Sequence, residues 1–475
     1  MTDGRTEPRH GRDLTVGSIP RHMVTFSLPM LAGSALQTAY SFVNAIWVGQ
    51  FLGKTALAAV TVSFPVVFVI IAVGAGLTMA TNILAAQYFG ARDLPRVRKL
   101  ADSSTVLIGT LSLVFLAVGE LFAQHILRAM QTPPEVIAPA VSYMRIFMLS
   151  LPFGFGLFLM RSMLQGIGDT KTPLYFQTAS LLVNVVLDPL LMFGWLGFPR
   201  LGLQGTAWAA NIAQGGALLA LYIYLRRKHN PVAPNLARLS VDFSTMWTTI
   251  RIGVPSAVQQ SLVSIGIVFV TGIVNSFGEN ATAAFGAASR IDQLAFLPAM
   301  TFSMAASTLT GQNLGAGKPQ RVREVFIWGC MFSVGITLCA SLLAVSIPRL
   351  LLRIFINDPA VLDMGVSYLR IVGACYFFFA VMFVSNGIIN GAGYTLVTTI
   401  FSLITLWVVR VPLAYYLSHR WHSVTGVWVA ISVSFGVAMT VSLAYFLSGR
   451  WKVPLVRFSP PAVVEALVVE EIAEA

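Results

Sequence analysis

The sequence QYFGARDLPRVR at residues 87–98 returns as QNLGAGKPQRVR at residues 312–323, 225 positions further along the chain. At the same spacing, VSYMRI at residues 141–146 returns as VSYLRI at residues 366–371. Gly166, Gly168 and Thr170 likewise match Gly391, Gly393 and Thr395. A fixed spacing shared by separate stretches indicates a repeat architecture. We therefore interpret the chain as a duplication.

Composition decides the class of protein that was duplicated. Of the 475 residues, 56% are apolar and only 11% are charged, whereas soluble proteins carry about 25% charged residues. Twelve helices of about 20 residues would use roughly 240 positions, which the apolar residues can fill. A soluble globular protein is thus excluded, and an all-α polytopic membrane protein is predicted.

Twelve stretches are long and apolar enough to cross a membrane, which takes about 20 residues. Six are free of charge, and six are interrupted by one or two charges. The charge-free runs are residues 23–53, 55–91, 201–225, 252–278, 325–348 and 421–449. The interrupted runs lie around residues 103–124, 137–160, 172–194, 281–312, 364–390 and 395–418.

Six spans in each half predict two six-helix bundles, parallel and related by a pseudo-symmetry axis along the membrane normal. The net charge is +12, and 19 Lys and Arg residues fall on the side of the termini against 6 on the other. Basic loops stay cytoplasmic, so we expect both termini to be cytoplasmic. The predicted domains are a tail at 1–22, the first bundle at 23–226, a cytoplasmic linker at 227–245, the second bundle at 246–449 and a tail at 450–475.

The two halves differ in polarity within the spans. Asn184 and Asp188 stand at i and i+4 on one face of the fifth span, followed by Pro189, and their counterparts at the repeat spacing, Val409 and Leu413, are apolar. A carboxylate in hydrocarbon is costly unless it is paired, protonated or facing water, so such residues are functional by default. We therefore predict that Asp188 takes part in binding a cation, with a structural polar contact between helices as the alternative.

The first span also carries polar groups on one face. Gln37, Tyr40 and Asn44 stand at i, i+3 and i+7, which places them on one side of a helix, and their counterparts in the second half are apolar or glycine. Further candidates for the lining of a central cavity are Tyr143, Asp292, Gln259 and Gln260. Asp292 follows Arg290 by two residues, a spacing at which helical side chains do not face each other. A structural ion pair with another partner and a second coupling site both remain open for Asp292.

These motifs resemble those of the multidrug and toxic compound extrusion (MATE) family. The resemblance runs from Leu28 to about Leu447 and is carried by Leu28-Pro29, by NVVLDP at 184–189 and by GQNLGA at 311–316. It implies export of cationic, amphipathic drugs in exchange for protons or sodium ions. It also implies that Asp188 and Asn184 belong to a cation site in the first bundle, as in prokaryotic branches, with Gln37 and Tyr40 beside it.

Asn44 stands where prokaryotic members of the family often have an aspartate. A lone neutralisable acid favours protons as the coupling ion, although oxygens of Asp188, Asn184 and Asn44 are also ligands for sodium. We expect no cofactor, no structural metal and no nucleic-acid partner. The expected partners are a small organic cation as substrate and membrane lipids, and the expected state is a monomer in the cytoplasmic membrane of a prokaryote.

Two other functions were weighed. A flippase for lipid-linked precursors shares the two-bundle plan and would need a cavity rich in basic residues, for which Arg161, Arg290 and Arg410 are the candidates. A membrane-embedded transferase would need clustered carboxylates or histidine pairs at helical spacing, and neither is found in the sequence. An exporter remains the favoured function.

Overall fold

The structure, a computed structural model, describes residues 11–51, 53–130 and 132–453. In this part of the chain the long regular elements are all helices. In chain order they are α1 (Ile19–Phe51), α2 (Gly53–Gly90), α3 (Leu94–Ala129), α4 (Pro134–Leu149), α5 (Leu151–Gly166), α6 (Lys171–Phe193), α7 (Leu203–Arg227), α8 (Phe243–Asn275), α9 (Glu279–Gly315), α10 (Pro319–Ser346), α11 (Pro348–Arg353), α12 (Pro359–Gly373), α13 (Tyr376–Gly391), α14 (Thr395–Leu403), α15 (Val411–Trp421) and α16 (Thr425–Leu447). A π-helical turn at Ile404–Arg410 joins α14 to α15.

Twelve spans follow from these helices. Within the described ranges, nine helices are individually long and apolar enough to cross a membrane, and the bent pairs α4–α5 and α12–α13 bring the total to eleven. The 33-residue helix α1 supplies the twelfth span, since about 20 helical residues cross the hydrocarbon. The predicted all-α fold of twelve transmembrane helices in two six-helix bundles is confirmed, with α1–α7 in the first bundle and α8–α16 in the second.

The duplication is visible in the helix boundaries. The bends of 42° in α4–α5 and 47° in α12–α13 occupy equivalent places. Helices α2 and α5 end at Gly90 and Gly166, and their counterparts α9 and α13 end at Gly315 and Gly391, 225 residues later in both cases. The π-helical turn before α15 breaks this symmetry, because α6 runs without such a turn.

Apolar side chains of the described residues form three cores. One lies inside the first bundle and includes Leu100, Met144 and Leu164. A second lies inside the second bundle around the buried Trp428. The third joins the first part of α1, with Met23 among its members, to α9, α10 and α13. Helix α1 therefore contacts both bundles.

The linker between the bundles is held to α3 by a buried carboxylate. Asp102 accepts hydrogen bonds from the backbone N–H groups of Asn235 (2.9 Å) and Ser240 (3.1 Å). Asp242 then caps the first turn of α8 by accepting from the backbone N–H of Thr245 at 3.1 Å and from its hydroxyl. These hydrogen bonds, the hydroxyl one first, hold the pKa of Asp242 below its usual value.

The two bundles meet in a close-packed contact on the face that carries both described chain ends, which we call the termini face. A Cβ atom on Gly90 of α2 would lie 2.0 Å from the carbonyl oxygen of Gln312 in α9. A Cβ atom on Gly315 would lie equally close to the carbonyl oxygen of Gln87. Glycine allows such backbone approach because it has no Cβ. We call this pair of contacts the glycine seam.

Two glutamine side chains bridge the bundles beside the glycine seam. Nε2 of Gln87 donates to the carbonyl oxygen of Gly391 at 2.8 Å, and Nε2 of Gln312 donates to that of Gly166 at 2.9 Å. Both glutamines are at most 1% exposed. Each bundle therefore binds the last carbonyl of an equivalent helix in the other bundle.

A short N-terminal segment, residues 11–18, crosses the termini face, and we call it the strap. The backbone N–H of Arg12 donates to the Ile167 carbonyl of the first bundle at 2.9 Å. The backbone N–H of Leu14, which is fully buried, donates to Oε1 of Gln312 in the second bundle at 3.0 Å. Arg321 of α10 donates to the carbonyl oxygen of Gly17 at 2.7 Å. The strap is thus bonded to both bundles.

The domain boundaries given by the sequence remain a prediction. Residues 11–18 of the predicted N-terminal tail form the strap, and α1 begins at Ile19. Most of the predicted linker lies between the end of α7 and the start of α8. Residues 1–10 and 454–475, which belong to the predicted tails, lie outside the described residues.

Candidate functional site

One face of α6 carries its amide and carboxyl side chains. Gln177, Asn184 and Asp188 stand at i, i+7 and i+11, which superimposes them on one side of a helix with 3.6 residues per turn. Asn184 and Asp188 are 6% and 1% exposed. The opposite side of α6 is apolar or aromatic and strongly exposed, with Tyr175, Leu182 and Val186. The acid therefore points into the first bundle rather than towards lipid.

Tyr40 of α1 connects the two polar groups of α6. Its hydroxyl accepts a hydrogen bond from Nδ2 of Asn184 at 2.8 Å and donates to Oδ2 of Asp188 at 3.3 Å. The structure thus brings together three side chains that the sequence placed on two different spans. The spacing of polar groups on one helical face was the signal that identified them.

Three buried oxygens at this place have no hydrogen-bond partner among the described residues. They are Oδ1 of Asp188, Oδ1 of Asn184 and Oδ1 of Asn44. Asn44 lies one turn beyond Tyr40 on the same face of α1, where residues four apart are neighbours. Buried polar atoms are normally hydrogen-bonded, so unpaired acceptors require an explanation. These three oxygens, one of which belongs to a carboxylate, would be satisfied by a small cation or by a proton on the acid.

Two further features lie next to these oxygens. Pro189 has no backbone N–H, so the carbonyl of Val185 lacks its usual helical donor and remains available as an oxygen ligand. Tyr143 of α4 lies within electrostatic range of Asp188. No basic side chain among the described residues forms a salt bridge with Asp188 within 4 Å.

A second polar layer lies on the same α6 face, nearer the termini face. Gln177 accepts a hydrogen bond from Nη1 of Arg161 in α5 at 3.1 Å, and its Nε2 lies 3.4 Å from Oε1 of Gln37 in α1. Gln37 is exposed, and Arg161 is partly exposed although it lies deep among protein atoms. Gln177 was missed in the sequence, although its spacing of seven residues from Asn184 gave the signal.

Asp292 lies in the second bundle, away from Asp188. Its Oδ1 accepts from the hydroxyl of Tyr376 at 2.5 Å and its Oδ2 from the hydroxyl of Tyr368. These tyrosines belong to α13 and α12, on the two sides of the bend in that span. Both carboxylate oxygens of Asp292 are therefore satisfied, in contrast to those of Asp188.

The other cavity candidates are dispersed. Arg290 does not pair with Asp292, and its guanidinium lies 5.8 Å from the ring centre of Phe355. Gln259 donates from Nε2 to the hydroxyl of Ser402 at 2.7 Å and so joins α8 to α14. Gln260, one residue later, is exposed.

The three arginines that the flippase hypothesis places in a basic cavity do not share one cavity. Arg161 lies in the first bundle beside Gln177. Arg410 lies in the second bundle, where its Nε donates to Ser434 at 2.7 Å and its guanidinium packs over Phe435. Arg290 lies on the exposed side of α9. The basic cavity expected for lipid-linked precursors is therefore not formed by these residues.

Comparison with known proteins gives consistent matches over most of the chain. The MatE family profile matches residues 29–190 and 255–416, which are the two repeats. The probable multidrug resistance protein YpnP of Bacillus subtilis is 31% identical over 93% of this chain and 97% of its own length. The FAD transporter of Shewanella oneidensis is 26% identical over 86% of this chain and 89% of its own. A crystal structure of MATE in the straight conformation superimposes with a TM-score of 0.85 at 25% identity, covering 92% of this chain and 97% of that one.

Proposed function

Because this chain belongs to the MatE family of multidrug-extruding membrane transporters, we propose that it is a secondary antiporter that exports organic cations and amphipathic drugs in exchange for protons. Asp188 is the residue that takes up and releases the coupling ion. Tyr40, Asn184 and Asn44 complete the ion site. The substrate passes between the two bundles by alternating access.

One observation carries this proposal: in the described part of the chain, Oδ1 of Asp188 is buried without a hydrogen-bond partner, and two amide oxygens beside it are unpaired as well. A structural carboxylate in a membrane protein is expected to be saturated, as Asp292 is by two tyrosine hydroxyls. Leaving an acceptor buried and unpaired costs about 1–3 kcal/mol. Binding of a cation removes that cost and so favours cation binding at Asp188. The carboxylate of Asp292 in the second bundle, which is already hydrogen-bonded, gains no such benefit.

Coupling requires that the ion bind the two states of the transporter with different affinity, because a ligand shifts an equilibrium only by its differential affinity. The Asp188 site joins α1 to α6, and α1 also packs on the second bundle through Met23. Ion binding at Asp188 therefore acts on a helix that touches both bundles. One charge that crosses the full membrane potential supplies about 2.3 kcal/mol per 100 mV.

The number of carboxylates favours the proton over sodium as the coupling ion. A single acid with amide neighbours is neutralised by one proton, and we propose the proton as the coupling ion. Sodium is the alternative, because hard cations take oxygen ligands and three unpaired oxygens are present. We further propose a monomer in the cytoplasmic membrane, with the termini face towards the cytoplasm in accordance with the excess of basic residues on that side.

The test is efflux of a fluorescent organic cation from proteoliposomes, driven first by a pH gradient and then by a sodium gradient. We expect the parent protein to respond to the pH gradient and Asp188→Asn to lose that response. Glu120→Gln is the matched control, since Glu120 is a half-exposed acid in α3 that pairs with Arg145 at 3.6 Å. This control is expected to transport like the parent.

Three outcomes are decisive. Loss of gradient-driven efflux in Asp188→Asn alone supports the assignment. If the parent responds to the sodium gradient and not to the pH gradient, sodium is the coupling ion, and Asp188 remains the assigned ion site. Equal transport by parent and Asp188→Asn under both gradients would show that this carboxylate is not the coupling group.

A further inference from the structure

Arg161 of α5 is a partly exposed cation that pairs with no carboxylate among the described residues. Of its five N–H donors, one has a partner in the described part of the chain, namely Oε1 of Gln177 at 3.1 Å. Within the same ranges, no salt bridge involves Arg161. A charged side chain in a membrane bundle is costly, faces a polar pathway and marks substrate or ion routes. A hydrogen bond to one neutral amide leaves most of its donors unused.

Arg161 shares the interior of the first bundle with Asp188. Its partner Gln177 stands on the same face of α6 as Asp188, eleven residues earlier, which corresponds to about 16 Å along the helix. Gln37, the exposed neighbour of Gln177, continues this polar layer on α1. The interior face of α6 is therefore bordered by a positive group nearer the termini face and a negative group farther from it.

Apolar surface lies between these two charges. Leu181 stands one turn from Gln177 and one turn from Asn184 on the same face of α6, and it is partly exposed. Phe158, which precedes Arg161 by three residues on α5, is 40% exposed. This arrangement suits an amphiphile whose acidic group meets Arg161 and whose apolar body lies against Leu181 and Phe158.

A snorkelling arginine would reach towards headgroups and away from the bundle. Arg161 does the opposite, because its guanidinium is bonded to the interior face of α6. Arg145 illustrates the alternative, since it is half-exposed and pairs with the half-exposed Glu120. The two arginines of the same bent span thus differ in environment and give a matched pair for experiment.

We propose that Arg161 binds the acidic group of the transported molecule, so that the substrates of this chain include zwitterionic amphiphiles that carry a carboxylate or phosphate as well as a cationic group. This inference rests on the proposed export function and specifies its substrate class. The planar guanidinium suits such a group because it donates two parallel hydrogen bonds to a carboxylate or phosphate. Gln177 orients the guanidinium for this contact.

The experiment compares two probes that differ only in the acid. A xanthene dye with a free carboxylate and its methyl ester are each loaded into proteoliposomes, and kcat/KM is measured for both. We expect the parent to export both dyes and Arg161→Gln to reduce the acid-to-ester ratio by roughly tenfold or more, which is the loss of one charged hydrogen bond. Arg161→Lys should restore most of the ratio, and Arg145→Gln should leave it unchanged.

Gln177→Glu provides a second test that keeps the arginine. It gives Arg161 a resident carboxylate in place of the amide, so it should lower the acid-to-ester ratio without removing a packed side chain. An equal loss for both dyes in Arg161→Gln and Gln177→Glu would assign Arg161 a structural role and overturn the proposal. An unchanged ratio in both variants, or a parent that exports the ester and not the acid, would also overturn it. A parent that exports neither dye would instead contradict the export function itself.

Discussion

Replacing Gly90 with alanine tests whether the glycine seam holds the termini face closed. The new methyl group would lie 2.0 Å from the carbonyl oxygen of Gln312, whereas ordinary van der Waals contact begins at 3.4 Å. The bundles must therefore separate by about 1.4 Å at this point, or distort by an equivalent amount. Forcing one methyl into a close-packed contact costs about 1–3 kcal/mol. Because the contact exists only when the termini face is closed, that cost falls on the closed state alone.

A cost of 1–3 kcal/mol shifts a two-state equilibrium by roughly 5- to 150-fold. The shift can be measured as a distance distribution between spin labels at Arg98→Cys in α3 and Arg323→Cys in α10, two exposed positions on the termini face of opposite bundles. The labels require a background in which Cys330, Cys339 and Cys375 are replaced. We expect the Gly90→Ala population to move towards longer distances.

Gly109→Ala is the matched control. Gly109 lies within α3, and no heavy atom of the described residues outside its own helical turn lies within 4 Å of the position that its Cβ would take. This variant gains helix propensity without a clash, so its distance distribution should equal that of the parent. If Gly90→Ala also gave the parental distribution at unchanged thermal stability, the glycine seam would not hold the bundles together.

Three further outcomes are expected. Gln312→Ala leaves the buried N–H of Leu14 without its acceptor, so the termini-face labels should move apart, with a cost of about 1–3 kcal/mol; an unchanged distance distribution would contradict this. Tyr376→Phe removes one of two hydroxyl donors from Asp292 and should lower the thermal unfolding temperature by several degrees while leaving the pH-gradient response intact; a lost response would instead place Asp292 in the coupling machinery. Asp242→Ala removes the cap of α8 and should cost about 0.5–2 kcal/mol at neutral pH. Because the folded pKa of Asp242 is depressed, its contribution is present above the unfolded value of about 3.9 and is lost as pH falls through the lower folded value, so parent and variant should converge in acid when their unfolding is compared.

Much of the fold was predictable because it depends on local composition and on repetition. Span length and apolarity follow from the thickness of the hydrocarbon, and the repeat spacing of 225 residues pairs the helix ends at Gly90 and Gly315. The face shared by Asn184 and Asp188 followed from helical periodicity alone. Sequence spacing also indicated that Arg290 and Asp292 would have separate partners, as they do.

The strap was not predictable by the same means. Residues 11–18 are polar and short, and their contacts run through backbone N–H and carbonyl groups that every sequence possesses. Gln87 and Gln312 were recognised as repeated residues, but a repeated glutamine beside a glycine turn does not reveal a partner in the other bundle. The repeat therefore predicted that the two glutamines are equivalent but gave no information about their hydrogen bonds across the bundles.

The partners of Asp292 were hidden for a different reason. Tyr368 and Tyr376 are 76 and 84 residues away from it along the chain. They reach one carboxylate from two helices only because the span bends by 47° between them. Such a meeting depends on the packing of three helices, which the periodicity of a single helix does not encode.

The strap also makes the protein chemically different on its two sides. Its bonds to Gln312 and Arg321 involve peptide groups, and urea and guanidinium solvate peptide groups. A low, non-denaturing dose of guanidinium, whose charge keeps it from crossing the bilayer readily, competes for the exposed Gly17 carbonyl from the compartment that the strap faces. In vesicles with uniformly inserted protein, transport should therefore change when the chaotrope is added on the side of the strap and stay the same when it is added on the other side. The orientation of the protein in the membrane can then be determined without labels.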